Sequence, residues 1–317
     1  MSSELFLAVA GNAAGEATYV EDVFSTYLYE GTSATQTITN GIDLDGEGGL
    51  VWCKARNYGD RHCLFDTERG ATKRLSSNLT NAEFADVNSL TSFNSNGFTL
   101  GSSALPNRST YDHVSWTFAK QEKFFDVVTY TGDGNTGRTV DHNLGSVPGM
   151  IVTKRTDSTS NWFVWHRSFS SNDNYLMLNN IQAETTNATF FGGAPTDTTF
   201  TVGSNANING SGGEYVAYLF AHNDGDGEFG EDADQDIIKC GTISGQQTVD
   251  IGFEPQWILL KRTDSAGDWR LVDNMRGLTA VNSNDVWLAP NTSAAESAGD
   301  FLTLNSTGFF SDLNGTY

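Results

Sequence analysis

The sequence predicts an all-β protein built from tandem β-sandwich units of roughly 100 residues, jelly-roll or lectin-like, with the third unit incomplete. Four observations carry this expectation. Ser, Thr, Asn and Gly make up roughly two fifths of the 317 residues, and only 18% are charged, so strong helix formers are scarce. An aromatic content of 12% supplies the bulk that disordered segments lack. The apolar runs are short, rich in Val, Ile, Phe, Tyr and Trp, and separated by turn clusters such as Thr131-Gly132-Asp133-Gly134-Asn135, without a sustained 3.6-residue period. Finally, several segments recur in the same order.

Residues 1–23 read as an N-terminal arm. Within it Leu5-Phe6-Leu7-Ala8-Val9-Ala10 ends in a small-x-small triplet, but the run is short and follows Glu4 instead of Lys or Arg, which argues against a signal peptide. No run approaches the roughly 18 apolar residues of a membrane span.

The first unit, 24–120, carries Tyr29-Glu30-Gly31, the strand Leu50-Val51-Trp52-Cys53-Lys54, the segment Asn96-Gly97-Phe98-Thr99-Leu100-Gly101 and the closing strand His113-Val114-Ser115-Trp116-Thr117-Phe118-Ala119. The second, 124–223, answers with Tyr130-Thr131-Gly132, Met150-Ile151-Val152-Thr153-Lys154, Phe200-Thr201-Val202-Gly203 and Tyr215-Val216-Ala217-Tyr218-Leu219-Phe220-Ala221. Residues 224–233 form an acidic linker, within an acidic run over 222–236.

The third unit, 234–317, carries Trp257-Ile258-Leu259-Leu260-Lys261 and Thr307-Gly308-Phe309-Phe310. Lys154-Arg155-Thr156-Asp157 and Lys261-Arg262-Thr263-Asp264 are identical, and Trp162 and Trp269 each follow five residues beyond the Asp. Each unit is expected to carry its own core, with Val51 and Ile151, Phe98 and Phe200, and Trp116 and Tyr218 at equivalent buried positions. The third unit reaches Tyr317 before a closing strand, so either a longer polypeptide or a strand donated by a neighbour is expected to cover its edge. A homo-oligomer, with a trimer in view, follows from that expectation.

Asp+Glu 39 against Lys+Arg 18 gives a net charge of −21, which repels phosphate backbones and anionic leaflets alike. Nucleic acid and membrane insertion are therefore not expected. Cys53, Cys63 and Cys240 are too few for a disulfide framework. Cys53 and Cys63 can face each other across a hairpin centred near Tyr58, as a bond or, the favoured reading, as two free thiols.

Asp224, Asp226 and Glu228, followed by Glu231, Asp232 and Asp234, are cation candidates because they offer hard oxygens in one loop. Gly227 stands fourth from Asp224 where an EF-hand needs its glycine sixth, so a solvated linker is the favoured reading. His62, His113, His142, His166 and His222 make no i, i+4 metal pair, and no Cys-x-x-Cys occurs. No nucleophile elbow, phosphate-cradling loop or dinucleotide fingerprint is present, so no catalytic residue and no cofactor is assigned and an enzyme is not expected. Trp162, Trp165, Trp269 and Trp287 can stack on sugars, but recurrence of Trp162 and Trp269 at one position favours core packing.

The segments Asp22-Val23-Phe24-Ser25-Thr26-Tyr27-Leu28-Tyr29, Asn40-Gly41-Ile42-Asp43-Leu44-Asp45-Gly46-Glu47-Gly48-Gly49-Leu50-Val51-Trp52 and Ser92-Phe93-Asn94-Ser95-Asn96-Gly97-Phe98-Thr99-Leu100-Gly101 resemble repeat-bearing structural proteins of tailed bacteriophages infecting cyanobacteria and other aquatic bacteria. The resemblance covers nearly the whole chain past residue 18 and extends to Tyr215-Val216-Ala217-Tyr218-Leu219-Phe220-Ala221-His222. It implies a virion structural protein assembled in the host cytoplasm and released by lysis. A tail fibre or its adhesive part, joined to other virion proteins and binding host-surface glycan or protein through many weak copies, is the leading expectation. The alternatives are a capsid decoration or head-fibre protein and a polysaccharide-degrading tail enzyme. The resemblance supplies no catalytic residues.

Overall fold

Short runs of β-branched and aromatic residues broken by Gly, Asn and Asp favour paired strands over helices. The computed structural model describes residues 17–281 and 284–312, and there the chain is mostly β, in several antiparallel sheets with a few short helices. Residues 1–16 of the expected arm lie outside the described residues. The rest of the arm is not featureless, because Val20–Val23 form a helical turn, α1, that leads directly into the first strand.

The first stretch holds β1 (Phe24–Glu30), β2 (Gln36–Thr39), β3 (Gly49–Ala55), β4 (Cys63–Asp66), β5 (Lys73–Arg74), β6 (Phe84–Ala85), β7 (Leu90–Asn94), β8 (Gly97–Leu100) and β9 (Asp112–Ala119). They make a sheet ordered β1-β9-β3-β4, a second ordered β2-β8-β7, and the small pair β5-β6. The second stretch holds β10 (Phe125–Thr131), β11 (Arg138–Asp141), β12 (Met150–Arg155), β13 (Trp162–His166), β14 (Asn174–Met177), β15 (Thr185–Thr186), β16 (Thr199–Val202) and β17 (Glu214–Phe220). Its sheets are β10-β17-β12-β13-β14-β15 and β11-β16. The last stretch holds β18 (Gln247–Asp250), β19 (Trp257–Leu260), β20 (Arg270–Asp273), β21 (Asp285–Leu288), β22 (Ser297–Gly299), β23 (Leu302–Asn305) and β24 (Gly308–Ser311). Here the sheets are β19-β20-β21-β22 and β18-β24-β23.

The paired core positions fall where alternation puts them. Val51, Ile151, Phe98, Phe200, Trp116 and Tyr218 are all buried. Phe98 opposes Ile38 as Phe200 opposes Val140, and Trp116 opposes Trp52 as Tyr218 opposes Val152. The expectation that each unit carries its own core is corrected. The largest apolar cluster takes Val51, Trp52, Trp116 and Phe118 from the first stretch, Val127, Trp162, Val216 and Tyr218 from the second, and Trp269, Leu271 and Leu288 from the third. Among the described residues, the second and third stretches add clusters of their own.

The reason lies in strands that are apolar on both faces. In β17, Val216, Tyr218 and Phe220 join the shared cluster while Tyr215, Ala217 and Leu219 join the second. A sheet covered on both sides needs such runs.

The recurring Tyr-x-Gly has a physical explanation. A Cβ on Gly31 would stand 2.0 Å from the Arg108 carbonyl oxygen, and one on Gly132 would stand 2.2 Å from that of Gly210. Only glycine allows so close a backbone approach. Beside it, the Tyr29 hydroxyl donates to the Pro106 carbonyl and the Tyr130 hydroxyl to that of Ile208, both at 2.7 Å.

Candidate functional site

The acidic linker is the first candidate, and the structure does not gather its carboxylates. Asp224 pairs with Lys239 at 2.7 Å and Glu228 with Lys123 at 2.5 Å, while Asp226 accepts the Asp224 backbone N–H at 2.9 Å. Glu231, Asp232 and Asp234 are exposed. The loop is shaped instead by Asp236, whose carboxylate accepts the N–H groups of Gly225 and Gly227. No group of three or more His, Cys, Asp or Glu able to hold a metal occurs among the described residues.

The tryptophans are structural. Trp162, Trp165 and Trp269 are buried and Trp287 is half-buried. The indole N–H of Trp162 donates to the carbonyls of Ser76 and Leu79 at 3.0 Å, reaching back into the first stretch. That of Trp269 donates to the Met177 carbonyl at 2.9 Å, reaching into the second. His62 holds the corresponding place, eight residues after Lys54 as Trp162 follows Lys154 and Trp269 follows Lys261. Its Nδ1 accepts the Trp52 indole N–H at 2.9 Å, so its Nε2 carries the proton and donates to the Ala289 carbonyl at 3.1 Å. Backbone bonds repeat the order: Glu83 N–H to the Thr156 carbonyl, Glu184 to Thr263, and Glu296 to Arg56. The three stretches thus close into a ring in which each grips the next.

Buried ion pairs, which sequence reasoning missed, tie the ring at two seams. Asp66 and Arg69 meet at 2.6 Å with their side chains 0% and 4% exposed, and the Tyr218 hydroxyl donates to the same carboxylate at 2.7 Å. Asp273 and Arg276 meet at 2.6 Å, both fully buried, and Trp116 Nε1 donates to Asp273 at 2.8 Å. Each Asp also caps its own turn by accepting the backbone N–H of its Arg. The signal present in the sequence is the shared Asp-x-x-Arg spacing after a strand; the aromatic donors arrive from about 150 residues away.

Histidine and cysteine chemistry is held by the fold. Burial lowers the pKa of all five histidines, with Lys54 adding to the effect on His62 and Arg167 to that on His166, which falls to about 4. Each ring has a backbone partner: Ala289 for His62, Arg108 for His113, Leu144 for His142, Ser168 for His166 and Cys240 for His222. Cys53 and Cys63 oppose each other in the β3–β4 ladder as free thiols, as expected. Burial pushes Cys63 and Cys240 up to about 12 and Cys53 higher still, so none is poised as a thiolate nucleophile.

Lys54, Lys154 and Lys261 stand at one recurring position. Burial lowers them to about 8, 7 and 8, and each ammonium donates to the carbonyl of the following residue.

No curated protein and no solved structure matches this chain. One family model does, over residues 20–314, a span that takes in the sheets and both ion-paired seams. The chain belongs to the family described as a domain of unknown function, DUF7483.

Proposed function

We propose that this protein is three copies of one two-sheet β-sandwich unit, closed into a ring, and that it serves as a structural component of a tailed-phage virion, most simply a tail fibre or its adhesive part. The observation that carries the reading is that buried polar side chains at matched positions are used to join one stretch to the next. His62, Trp162 and Trp269 reach the preceding stretch at matched positions, and the buried Asp-Arg pairs receive Tyr218 and Trp116. Such use of histidine, lysine and carboxylate fits a load-resisting part better than an enzyme.

The three-copy reading rests on strand order as well. β1-β9-β3-β4 and β10-β17-β12-β13 place their first, closing, second and third strands alike, and β19-β20-β21-β22 continues the series from its second strand onward. The negative, Ser/Thr/Asn/Gly-rich surface and the resemblance to repeat-bearing phage proteins support the virion role. In this reading the protein joins other virion proteins in several copies, as a homo-oligomer, and attaches to host-surface glycan or protein by avidity.

An antibody against the chain, applied to purified particles of a phage that encodes it and imaged by negative stain, tests the role. Label on the tail supports the reading. Label on the head moves the protein to capsid decoration, and absence from the particle proteome overturns a virion role. Release of sugar from host capsule by the purified protein would return it to the enzymes.

A further inference from the structure

The hairpin loop between β3 and β4 has the same length as its counterparts after β12 and β19, since His62, Trp162 and Trp269 each stand eight residues beyond the recurring lysine. In the second and third stretches an ion-paired fork closes the loop, Arg155 with Asp157 and Arg262 with Asp264. The first stretch has Ala55 and Asn57 in those places, and Tyr58 where the others have Ser158 and Ser265.

The segment ahead of the closing strand departs in the same stretch. Matched backbone bonds fix the equivalence: Gly31 N–H donates to the Tyr111 carbonyl as Gly132 N–H does to that of Gly213, and Tyr111 N–H turns back to the Arg108 carbonyl as Gly213 N–H does to that of Gly210. Tyr111 and Arg108 therefore stand where the second stretch has two glycines. The exchange is reciprocal. A Cβ on Gly213 would come 3.1 Å from the Arg155 guanidinium, so that arginine fills the space beside Gly213, whereas the small Ala55 takes its place in the first stretch. The second stretch makes the same turn without any of these side chains, so the fold does not account for Tyr58, Arg108 and Tyr111.

The three meet at the surface. The rings of Tyr58 and Tyr111 lie 4.6 Å apart, and the Arg108 guanidinium lies over the Tyr58 ring at 4.9 Å and the Tyr111 ring at 5.9 Å. Asp60, itself buried, holds Arg108 at 3.1 Å. Tyr58 is nevertheless 39% exposed and Tyr111 half-buried. Asn57 and Asp112, the exposed neighbours of the two tyrosines in the chain, are joined by a hydrogen bond from Asn57 Nδ2 to Asp112 Oδ2 at 3.1 Å. Among the described residues, neither tyrosine hydroxyl nor Oδ1 of Asp112 has a hydrogen-bond partner.

We propose that Tyr58, Tyr111, Asn57 and Asp112 form a binding site for one neutral pyranose ring of a surface glycan, which stacks on the exposed tyrosine surface while its hydroxyls bond the phenol, amide and carboxylate groups. This rests on the reading of the protein as a host-attachment part and names the site that attachment would use. Chemistry selects the occupant. A pyranose has an apolar C–H face and a rim of hydroxyls, which matches an aromatic surface bordered by donors and acceptors. Arg108 and Asp60 hold the rings in place, so little order is lost on binding. Arg108 is paired with Asp60, and Asp112 in a chain of net charge −21 disfavours an anionic sugar. Two partly exposed tyrosines offer on the order of 100–200 Å², far below the roughly 800 Å² per partner of a stable protein interface. One such site binds weakly, and many copies on a particle multiply it.

The test is saturation-transfer NMR on the full chain with the methyl pyranosides of glucose, galactose, mannose and N-acetylglucosamine. Transfer to the ring C–H protons of at least one sugar is expected, with binding at least about tenfold weaker in Tyr58→Ser and largely kept in Tyr58→Phe, which retains the ring. Serine is the residue that the other two stretches carry at this place, so an unchanged urea midpoint is expected; if the midpoint falls, Tyr111→Gly, the residue of the second stretch, decides by the same loss of binding. No transfer from any of the four sugars, or transfer that Tyr58→Ser and Tyr111→Gly leave unchanged, overturns the site. Binding of the labelled chain to host cells separates this from the attachment reading. Equal cell binding by parent and Tyr58→Ser removes this site and keeps attachment, whereas sugar binding without cell binding keeps the site and removes attachment. Tyr58-dependent cell binding that protease treatment of the cells abolishes would assign the patch to a protein and overturn the proposal.

Discussion

Replacing Asp273 by Ala removes the carboxylate that three donors share: Arg276 Nε at 2.6 Å, the Arg276 backbone N–H at 3.0 Å and Trp116 Nε1 at 2.8 Å. The guanidinium left behind is fully buried and sits 5.1 Å from the Trp116 ring centroid. Breaking a buried pair by deleting one partner costs about 3–5 kcal/mol, because a charge remains without water or counter-charge. Arg276 keeps Glu296 at 3.2 Å and the Leu271 carbonyl at 3.0 Å, which places the expected loss near the lower end. For a chain of 317 residues that corresponds to a fall in Tm of roughly 4–6 °C. Urea denaturation at pH 7, followed by tryptophan fluorescence, reads the free energy directly. The double variant Asp273→Leu/Arg276→Met discards both charges and should recover at least about half of the loss, as buried pairs replaced by apolar residues do. If Asp273→Ala stays within about 1 kcal/mol of the parent, or the double variant is worse than the single, the seam is not held as described.

Acidification should weaken the fold between pH 6.5 and 4. The five histidines have lowered pKa values in the fold, so in that interval the unfolded chain binds protons that the folded chain refuses, and stability falls as pH falls; an unchanged urea midpoint from pH 7 to pH 5 would refute it. Gly132→Ala should destabilise by about 2 kcal/mol or more, because its Cβ meets the Gly210 carbonyl oxygen at 2.2 Å, whereas Gly137→Ala, with nothing within 4 Å, pays only for its positive φ; equal midpoints for the two variants would contradict the close-approach argument. Cys53 and Cys63 should remain unreactive to a thiol reagent in the native protein and react fully once it is unfolded; rapid native reaction would show that β3 and β4 open. Trp269→Phe should cost about 1–2 kcal/mol by orphaning the Met177 carbonyl, measured by the same urea titration, and a neutral outcome would remove that link from the ring.

Much of the ladder was legible because strand pairing is local or periodic. The Cys53–Cys63 hairpin, the burial of Phe98 and Phe200, and the inward Trp162 and Trp269 follow from alternation and recurrence. Arg155–Asp157 and Arg262–Asp264 close matching two-residue forks from identical letters. The merged core was not legible, since a strand apolar on both faces does not say which face meets a neighbour. Nor were the partners of Asp66 and Asp273, because hydrogen bonds spanning 152 and 157 residues leave no mark in local sequence. The buried asparagines show the same limit. Asn107 donates to the Ala34 and Gly101 carbonyls, and Asn209 to those of Asn135 and Gly203, partners that local sequence does not mark.

The ring is closed by contacts between its two ends, His62 with Ala289 across 227 residues and Arg56 with Glu296 across 240. On a ribosome adding about 5–20 residues per second, the partner of His62 is made roughly 11–45 s after His62 itself. For that interval Trp52, His62 and their sheet lack the part of the shared core that the third stretch supplies, Trp269, Leu271 and Leu288. The nascent chain therefore has a window of vulnerability whose length is set by translation speed, and crowding by sister chains within one polysome is the hazard it must survive. Slowing synthesis in the last third should lower the yield of soluble protein, while slowing it before residue 52 should not.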